Sequence, residues 1–312
     1  MSAQDTLDME EKLLLPYTHI LQVPSKAVRN RIAEAFNHWL RIPDEKMKEV
    51  VDIMVMCHNG TLILDDIQDD TNVRRGIPAA HCVYGVPWAS NTSLHVIMLV
   101  MERCSQLGHP EAMKVYTEQA LELIRGQCKE IYWRDLFICP TEEEFMRMTE
   151  QKTGAMFNLS VRLMQLFSEN KTDYTQFAKK LSFYFQLRDD YCNIYQPEKL
   201  EERPSDQILN DYYMDLTEGK FTIPLIHALR SEKREAVMSI LKQRPTDPVL
   251  KRYCVSLLEE LGSLEYTRIM LGDLETEIRS EVARFGGNPL MDKVLDQLIT
   301  WRLSSKVNNL EE

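Results

Sequence analysis

The stretch Leu62-Ile63-Leu64-Asp65-Asp66-Ile67-Gln68-Asp69-Asp70 decides how this chain is read. Upstream of it, Val50, Val51, Met54, Cys57, His58 and Leu62 recur at helical spacing, and Pro43-Asp44-Glu45 is a helix start, so one helix is predicted over 44–70. At about 100° per residue, Asp65 and Asp69 share a face one turn apart, and His58 lies two turns earlier within about 20° of Asp65. Like charges at this spacing destabilise a bare helix. Hard cations would account for them. Oxygen ligands on one helix face suit Mg²⁺, which takes one or two carboxylates and leaves room for substrate phosphates. A solvated acidic face is the competing reading of this motif by itself.

A second array answers the first. In Phe185-Gln186-Leu187-Arg188-Asp189-Asp190-Tyr191-Cys192-Asn193, the residues Gln186, Asp189, Asp190 and Asn193 fall at i, i+3, i+4 and i+7 on one face. Again acids close an apolar helix, here behind the aromatic run Phe183-Tyr184-Phe185, in a helix predicted over 173–195. Two such arrays can face each other across a helical bundle, as metal sites in bundles do. Cations form a third set: Lys26 and Arg29, Arg74-Arg75-Gly76, Lys152-Thr153-Gly154, and Lys220 within Asp215 to Lys220. Singly these read as solvated charges. Together in an acidic protein they can make a diphosphate cradle, because Arg forks and Lys point charges both suit phosphate oxygens.

The rest of the chain sets the class. Its 312 residues are 44% hydrophobic and 27% charged, which excludes a disordered tail and a membrane bundle. With Gly at 11, turn-rich all-β, Rossmann and P-loop folds are disfavoured. Helical patterns also run over 111–134, and a start at Pro140-Thr141-Glu142-Glu143 has Thr141 as N-cap. No strand is predicted. Arg203-Pro204-Ser205-Asp206 reads as a loop. The expected architecture is one all-α domain over 1–312, with flexible tails at about 1–10 and 303–312. A net charge of -11 argues against general nucleic-acid binding. The seven cysteines are scattered without a CxxC pair, which disfavours a zinc ribbon and a disulfide framework. The acidic N-terminus does not read as a targeting peptide, the C-terminus carries no prenylation box, and the apolar run Val96 to Met101 is too short to span a bilayer. A cytoplasmic protein is expected.

With these residues in hand, the chain resembles short-chain trans-prenyl diphosphate synthases, and among them the animal and fungal geranylgeranyl diphosphate synthases. Besides the Asp arrays, the resemblance rests on Ala35-Phe36-Asn37-His38-Trp39-Leu40, Ile131-Tyr132-Trp133-Arg134-Asp135, Pro140 to Glu144, Gln151-Lys152-Thr153-Gly154, Asp215 to Lys220, Gly262 to Arg268 and Gly286-Gly287-Asn288-Pro289. It implies an isoprenoid-synthase-like helical bundle around a deep apolar cavity. It implies three Mg²⁺ ions bridging Asp65, Asp69 and Asp189 to an allylic prenyl diphosphate, with Asp66 and Asp190 holding the arrays in place. Arg74, Lys152 and Lys220, with Thr153 and Gln186, would bind that diphosphate. Lys26, Arg29, His58 and Arg75 would bind isopentenyl diphosphate. A homo-oligomer, dimer or larger, is implied as well.

The sequence departs from the family pattern near these residues. Ser25-Lys26 stands for Gly-Lys, Gly154-Ala155 for Gly-Gly after Lys-Thr, Gly126-Gln127-Cys128-Lys129-Glu130 for Gly-Gln-Gly-x-Asp, and Asn210 for a Lys ten positions before Lys220. Loss of a charged hydrogen bond at position 210 would weaken diphosphate binding by about 1–3 kcal/mol. The main reading is an elongating prenyltransferase making geranylgeranyl diphosphate, since small Gly60 and Thr61 before the first array leave room for a C20 chain. The alternatives are a diverged terpene synthase acting on geranyl diphosphate, and a weakly active regulatory subunit, against which both intact arrays argue.

Overall fold

A computed structural model of the chain describes residues 9–23, 28–195 and 213–299. Lys26, Ser25, Asn210, the predicted loop at 203–206 and most of both predicted tails lie outside the described residues. Packing divides the chain into two compact units, one within residues 1–119 and 159–172 and the other within 120–158 and 173–312.

The first unit holds α1 (Leu15–Leu21), α2 (Val28–Leu40), α3 (Asp44–Gln68), the strands β1 (Val73–Arg74) and β2 (Ile77–Pro78), α4 (Ala80–Tyr84) and α5 (Val86–Gln106). The start of α6 (Ala112–Leu136) and the end of α7 (Glu142–Gln165) also belong to it. α3 begins behind Pro43 with Asp44 and Glu45 in its first turn, as the start signal predicts. It packs along α5, burying Val50, Ile53, Met54, Cys57 and Ile63. The approach is close because Gly60 sits at the crossing. A Cβ there would stand 2.8 Å from Val96 Cγ1. Buried Ser93 donates from Oγ to Gly60 O at 2.7 Å across the same point. The missing side chain at Gly60 thus serves the helix crossing. Asn37 accepts from Ile42 N at 2.9 Å and ends α2, which buries Phe36 and Trp39.

The second unit begins on α6 and α7 and continues through α8 (Thr175–Tyr195), α9 (Met214–Glu218), α10 (Ile223–Ala228), α11 (Arg234–Lys242), α12 (Pro248–Glu260), α13 (Ser263–Arg284) and α14 (Pro289–Leu298). α7 opens with a capping box: Thr141 N donates to Glu144 Oε2 at 2.8 Å, and Glu144 N donates to Thr141 Oγ1 at 3.2 Å. α8 lies on α13, with Lys180 donating to Glu281 at 2.5 Å and Phe285 meeting Tyr174 and Phe177 edge-on. Tyr266 Oη and Arg230 Nη1 both donate to Glu142, each at 2.8 Å, which ties two of the marker stretches together.

The all-α class holds. Among the described residues the one departure is the two-residue pairing of Val73 with Pro78 and Arg74 with Ile77. All seven cysteines are free thiols, and Cys57, Cys104, Cys192 and Cys254 are buried. No helix among the described residues is long and apolar enough to cross a membrane.

Candidate active site

In the first unit, α3 ends at Gln68 with Asp69 as C-cap, so Asp65, Asp66 and Asp69 crowd the last turn. That end of a helix already carries the negative pole of the macrodipole, and acids there are disfavoured unless cations compensate. One cation comes from the protein. Asp66 is 1% exposed and its Oδ1 accepts from Arg74 Nε at 2.7 Å and from Arg74 Nη2. Burial raises the Asp66 carboxyl above its ordinary value, and the Arg74 guanidinium opposes that rise. Asp66 Oδ2 has no partner in the structure. Arg74 Nη2 also lies 3.9 Å from Asp65 Oδ2. Asp66 is thus bound to the chain itself, while Asp65 and Asp69 sit one turn apart, with Asp69 N donating to Asp65 O at 2.9 Å. This donor set, hard carboxylate oxygens with an orphaned buried oxygen between them in sequence, fits a hard divalent cation.

Arg75 occupies a tight turn at positive φ (56°), followed by Gly76 at φ 79°. Its guanidinium reaches Ile20 O and Val23 O, each at 3.3 Å, and Asn59 Oδ1 at 3.1 Å. His58 is held well below its usual range by burial and then by Arg29, Arg75 and Arg74, with Asp65 opposing. The structure therefore gathers His58, Arg29, Arg74 and Arg75 into one electrostatic neighbourhood, and Lys26 lies outside the described residues. Lowered in this way, the imidazole stays neutral at neutral pH.

A pH dependence follows from His58. The unfolded chain protonates this side chain near 6.5, and the folded chain resists until lower pH. The unfolded state then binds more protons, so stability is intact above pH 6.5 and declines as pH falls below it. His58→Gln is expected to flatten that decline in urea unfolding between about pH 7.5 and 5. Equal slopes in the two proteins would count against it.

In the second unit, Asp189 and Asp190 stand in the closing turns of α8, again toward the negative helix end. Asp189 is half-exposed and accepts from Arg188 Nη1 at 2.8 Å. Asp190 is 5% exposed. Thr153 Oγ1 donates to Gln186 Oε1 at 2.9 Å, and Gln186 Nε2 donates to Asp190 Oδ1 at 2.7 Å, so a polar relay from α7 fixes Asp190. Its Oδ2 has no partner. Burial pushes the Asp190 carboxyl up to about 7, and Asp189 and Glu130 add to the rise. Burial likewise raises Asp215, helped by Asp190 and Glu218 and opposed by Lys220.

Lys152 Nζ donates to Glu130 Oε2 at 2.5 Å, and Lys220 Nζ lies 2.6 Å from Glu218 Oε2. A small polar cavity of about 50 Å³ is lined by Glu130, Lys152, Thr153, Gln186, Asp190, Asp215 and Lys220, with Phe145, Met148, Phe221 and the unpartnered hydroxyls of Thr149 and Thr222. The sequence reading singled out Lys152, Thr153, Gln186, Asp190 and Lys220, and they do converge here. It gave no role to Glu130 or Asp215. Glu130 stood out only as a departure from the family pattern, and Asp215 only as part of a marker stretch. Phe185 is buried and meets Phe157 edge-on at 5.8 Å.

Lys152 owes its position to Gly126. A Cβ at that glycine would stand 2.4 Å from Lys152 N, a backbone atom that cannot yield cheaply. Gly126→Ala is expected to force α6 from α7 and cost about 1–3 kcal/mol of stability, read by denaturant unfolding. A loss below about 0.5 kcal/mol would show that the crossing relaxes freely.

Two helices closed by carboxylates and a lysine-lined polar cavity suit cations and an anionic ligand. The model of the polyprenyl synthetase family matches residues 10–258, and the chain belongs to that family. It is 50% identical over 295 residues to a terpene synthase of Matsumurasca onukii, covering 94% of this chain and 95% of that one. It is 39% identical over 290 residues to a geranylgeranyl pyrophosphate synthase of Mucor circinelloides f. lusitanicus, covering 93% of each. A geranylgeranyl pyrophosphate synthase of Dictyostelium discoideum is 36% identical over 288 residues, covering 92% of this chain and 93% of that one.

Proposed function

We propose that this chain is a Mg²⁺-dependent prenyltransferase that condenses isopentenyl diphosphate with allylic prenyl diphosphates, with geranylgeranyl diphosphate as product. The observation that carries the reading is the pair of aspartate arrays at the negative ends of α3 and α8 in a polyprenyl synthetase chain. Asp65, Asp69 and Asp189 would hold the metal, three ions per site, and Asp66 and Asp190, buried and bonded within the chain, would keep the arrays in place. Bound Mg²⁺ supplies positive charge to the diphosphate as the allylic C–O bond breaks. Lys152, Lys220 and Arg74 bind the same diphosphate, with Thr153 and Gln186 fixing Asp190 beside it. Arg29, His58, Arg75 and Lys26 bind isopentenyl diphosphate, His58 as a neutral donor. Aromatic faces such as Phe185 would favour the carbocation, and exclusion of water around the isoprenoid tail would keep it from being quenched. The departing diphosphate takes the final proton, so no protein base is required.

The product length rests on the relatives named above and on the small Gly60 and Thr61 before the first array. A single catalytic domain and a cytoplasmic location belong to the same proposal. A homo-oligomer does too, and it is supported by α6, where Leu121, Ile124, Cys128, Tyr132 and Leu136 form an exposed stripe at spacings of three and four. A second reading, a terpene synthase that ionises geranyl diphosphate to a hydrocarbon, is favoured by the relative at 50% identity and by Asn210 in place of a lysine. One assay separates them: purified protein, Mg²⁺ and geranyl diphosphate, with and without isopentenyl diphosphate, analysed by mass spectrometry. Longer prenyl diphosphates that require isopentenyl diphosphate support elongation. A volatile hydrocarbon from geranyl diphosphate alone overturns it in favour of the second reading.

A further inference from the structure

The ion pair between Glu130 and Lys152 is not a passive surface bridge. It joins two long helices, α6 and α7, one turn beyond the point where Gly126 lets them touch. Both side chains are largely withdrawn from water, Glu130 at 15% and Lys152 at 23% exposure, and both line the small polar cavity. A charge-assisted bond withdrawn from water is strong, and an incoming anion that engages Lys152 must compete with it. The pair between Lys220 and Glu218 lies within one short turn, so its geometry follows from the local backbone. Glu130 reaches Lys152 from another helix, so that pairing does not follow from the local backbone.

We propose that Glu130 is a built-in counter-ion that competes with diphosphate for Lys152 and thereby sets how tightly the site holds its allylic diphosphate and how readily inorganic diphosphate leaves. The inference rests on the prenyltransferase reading above. It follows that neutralising Glu130 tightens the ligand instead of weakening it. The helix crossing does not depend on that charge. Lys129 Nζ donates to Gln151 Oε1 and Gln151 Nε2 to Glu122 Oε2, each at 2.7 Å, along the same pair of helices. Glu130→Gln keeps the size and one acceptor of the side chain, so the fold is retained.

The test is calorimetric titration of inorganic diphosphate in saturating Mg²⁺ into the full chain, its E130Q and K152M variants and the double variant. E130Q is expected to tighten binding about 5- to 10-fold, the scale of one charged hydrogen bond released from competition. In turnover it should lower KM for the allylic diphosphate without raising kcat, because product release slows. On the K152M background the same change should have no effect, which a merely structural role would not produce. E130D, a shorter carboxylate that keeps its charge, should give an intermediate gain and serves if E130Q does not fold. Weaker binding in E130Q, with a raised Mg²⁺ requirement, would make Glu130 a metal ligand and overturn the proposal. An equal gain with and without Lys152 would overturn it as well. If the wild-type chain binds no diphosphate at all, the prenyltransferase reading falls with it. If diphosphate binds and E130Q leaves the affinity unchanged, this inference alone falls.

Discussion

Asp65→Ala and Asp189→Ala are each expected to lower turnover by roughly 10³-fold at saturating Mg²⁺, because on the proposed assignment each change removes a metal ligand and forfeits about 4 kcal/mol of charge stabilisation in the transition state. The fold should not suffer. Asp65 stands in the last turn of α3, one turn from Asp69 and at the helix end where negative charge is unfavourable. Its contact with Arg74 is long, at 3.9 Å, and Arg74 keeps its bonds to Asp66. Removing Asp65 relieves repulsion at that helix end, and the melting temperature is expected to stay close to that of the wild type. Asp189 is similar: it is half-exposed, and its bond from neighbouring Arg188 is partly screened by solvent. Activity lost with stability kept is the signature of carboxylates positioned for a ligand. A turnover within about tenfold of the wild type would remove either residue from the metal site.

Much of this was readable before any coordinates. α3 starts where Pro43-Asp44-Glu45 says it does, and α7 starts at the Thr141 cap, because local capping chemistry decides those ends. The two arrays were legible because acids cannot accumulate at a helix end without a reason. The hairpin at 73–78 was not legible. Arg75 is a poor residue for a left-handed turn position, and it is held there by carbonyls of Ile20 and Val23 some fifty residues away. Tertiary bonds override local preference at that point. Arg74 is likewise assigned to the diphosphate on its sequence, and only the folded chain adds that its guanidinium is bonded to Asp66. The partnership of Lys152 with Glu130 depends on a helix crossing that a glycine permits, and no spacing rule announces it.

Arg74→Met is the second change with a large expected effect, and here stability is the readout. Asp66 is 1% exposed, and the guanidinium of Arg74 supplies two donors to one of its oxygens. Without Arg74 that carboxylate is left buried and uncompensated. Breaking a buried ion pair from one side costs about 3–5 kcal/mol, several times what a surface pair is worth. Much of that is the penalty of the stranded charge and not the worth of the pair. Asp66→Asn in the same chain should therefore recover a good part of the loss, because a neutral amide needs no counter-ion. The double variant should regain stability while turnover stays low, since Arg74 is also assigned to the diphosphate and Asp66 to the support of Asp65 and Asp69. Urea unfolding of the wild type, both single variants and the double variant closes the cycle. A loss below about 1 kcal/mol in Arg74→Met, or no recovery in the double variant, would mean that Asp66 finds another partner or a proton at little cost. Such a result would weaken the view that the first array is held in place by a charge pair within the chain itself.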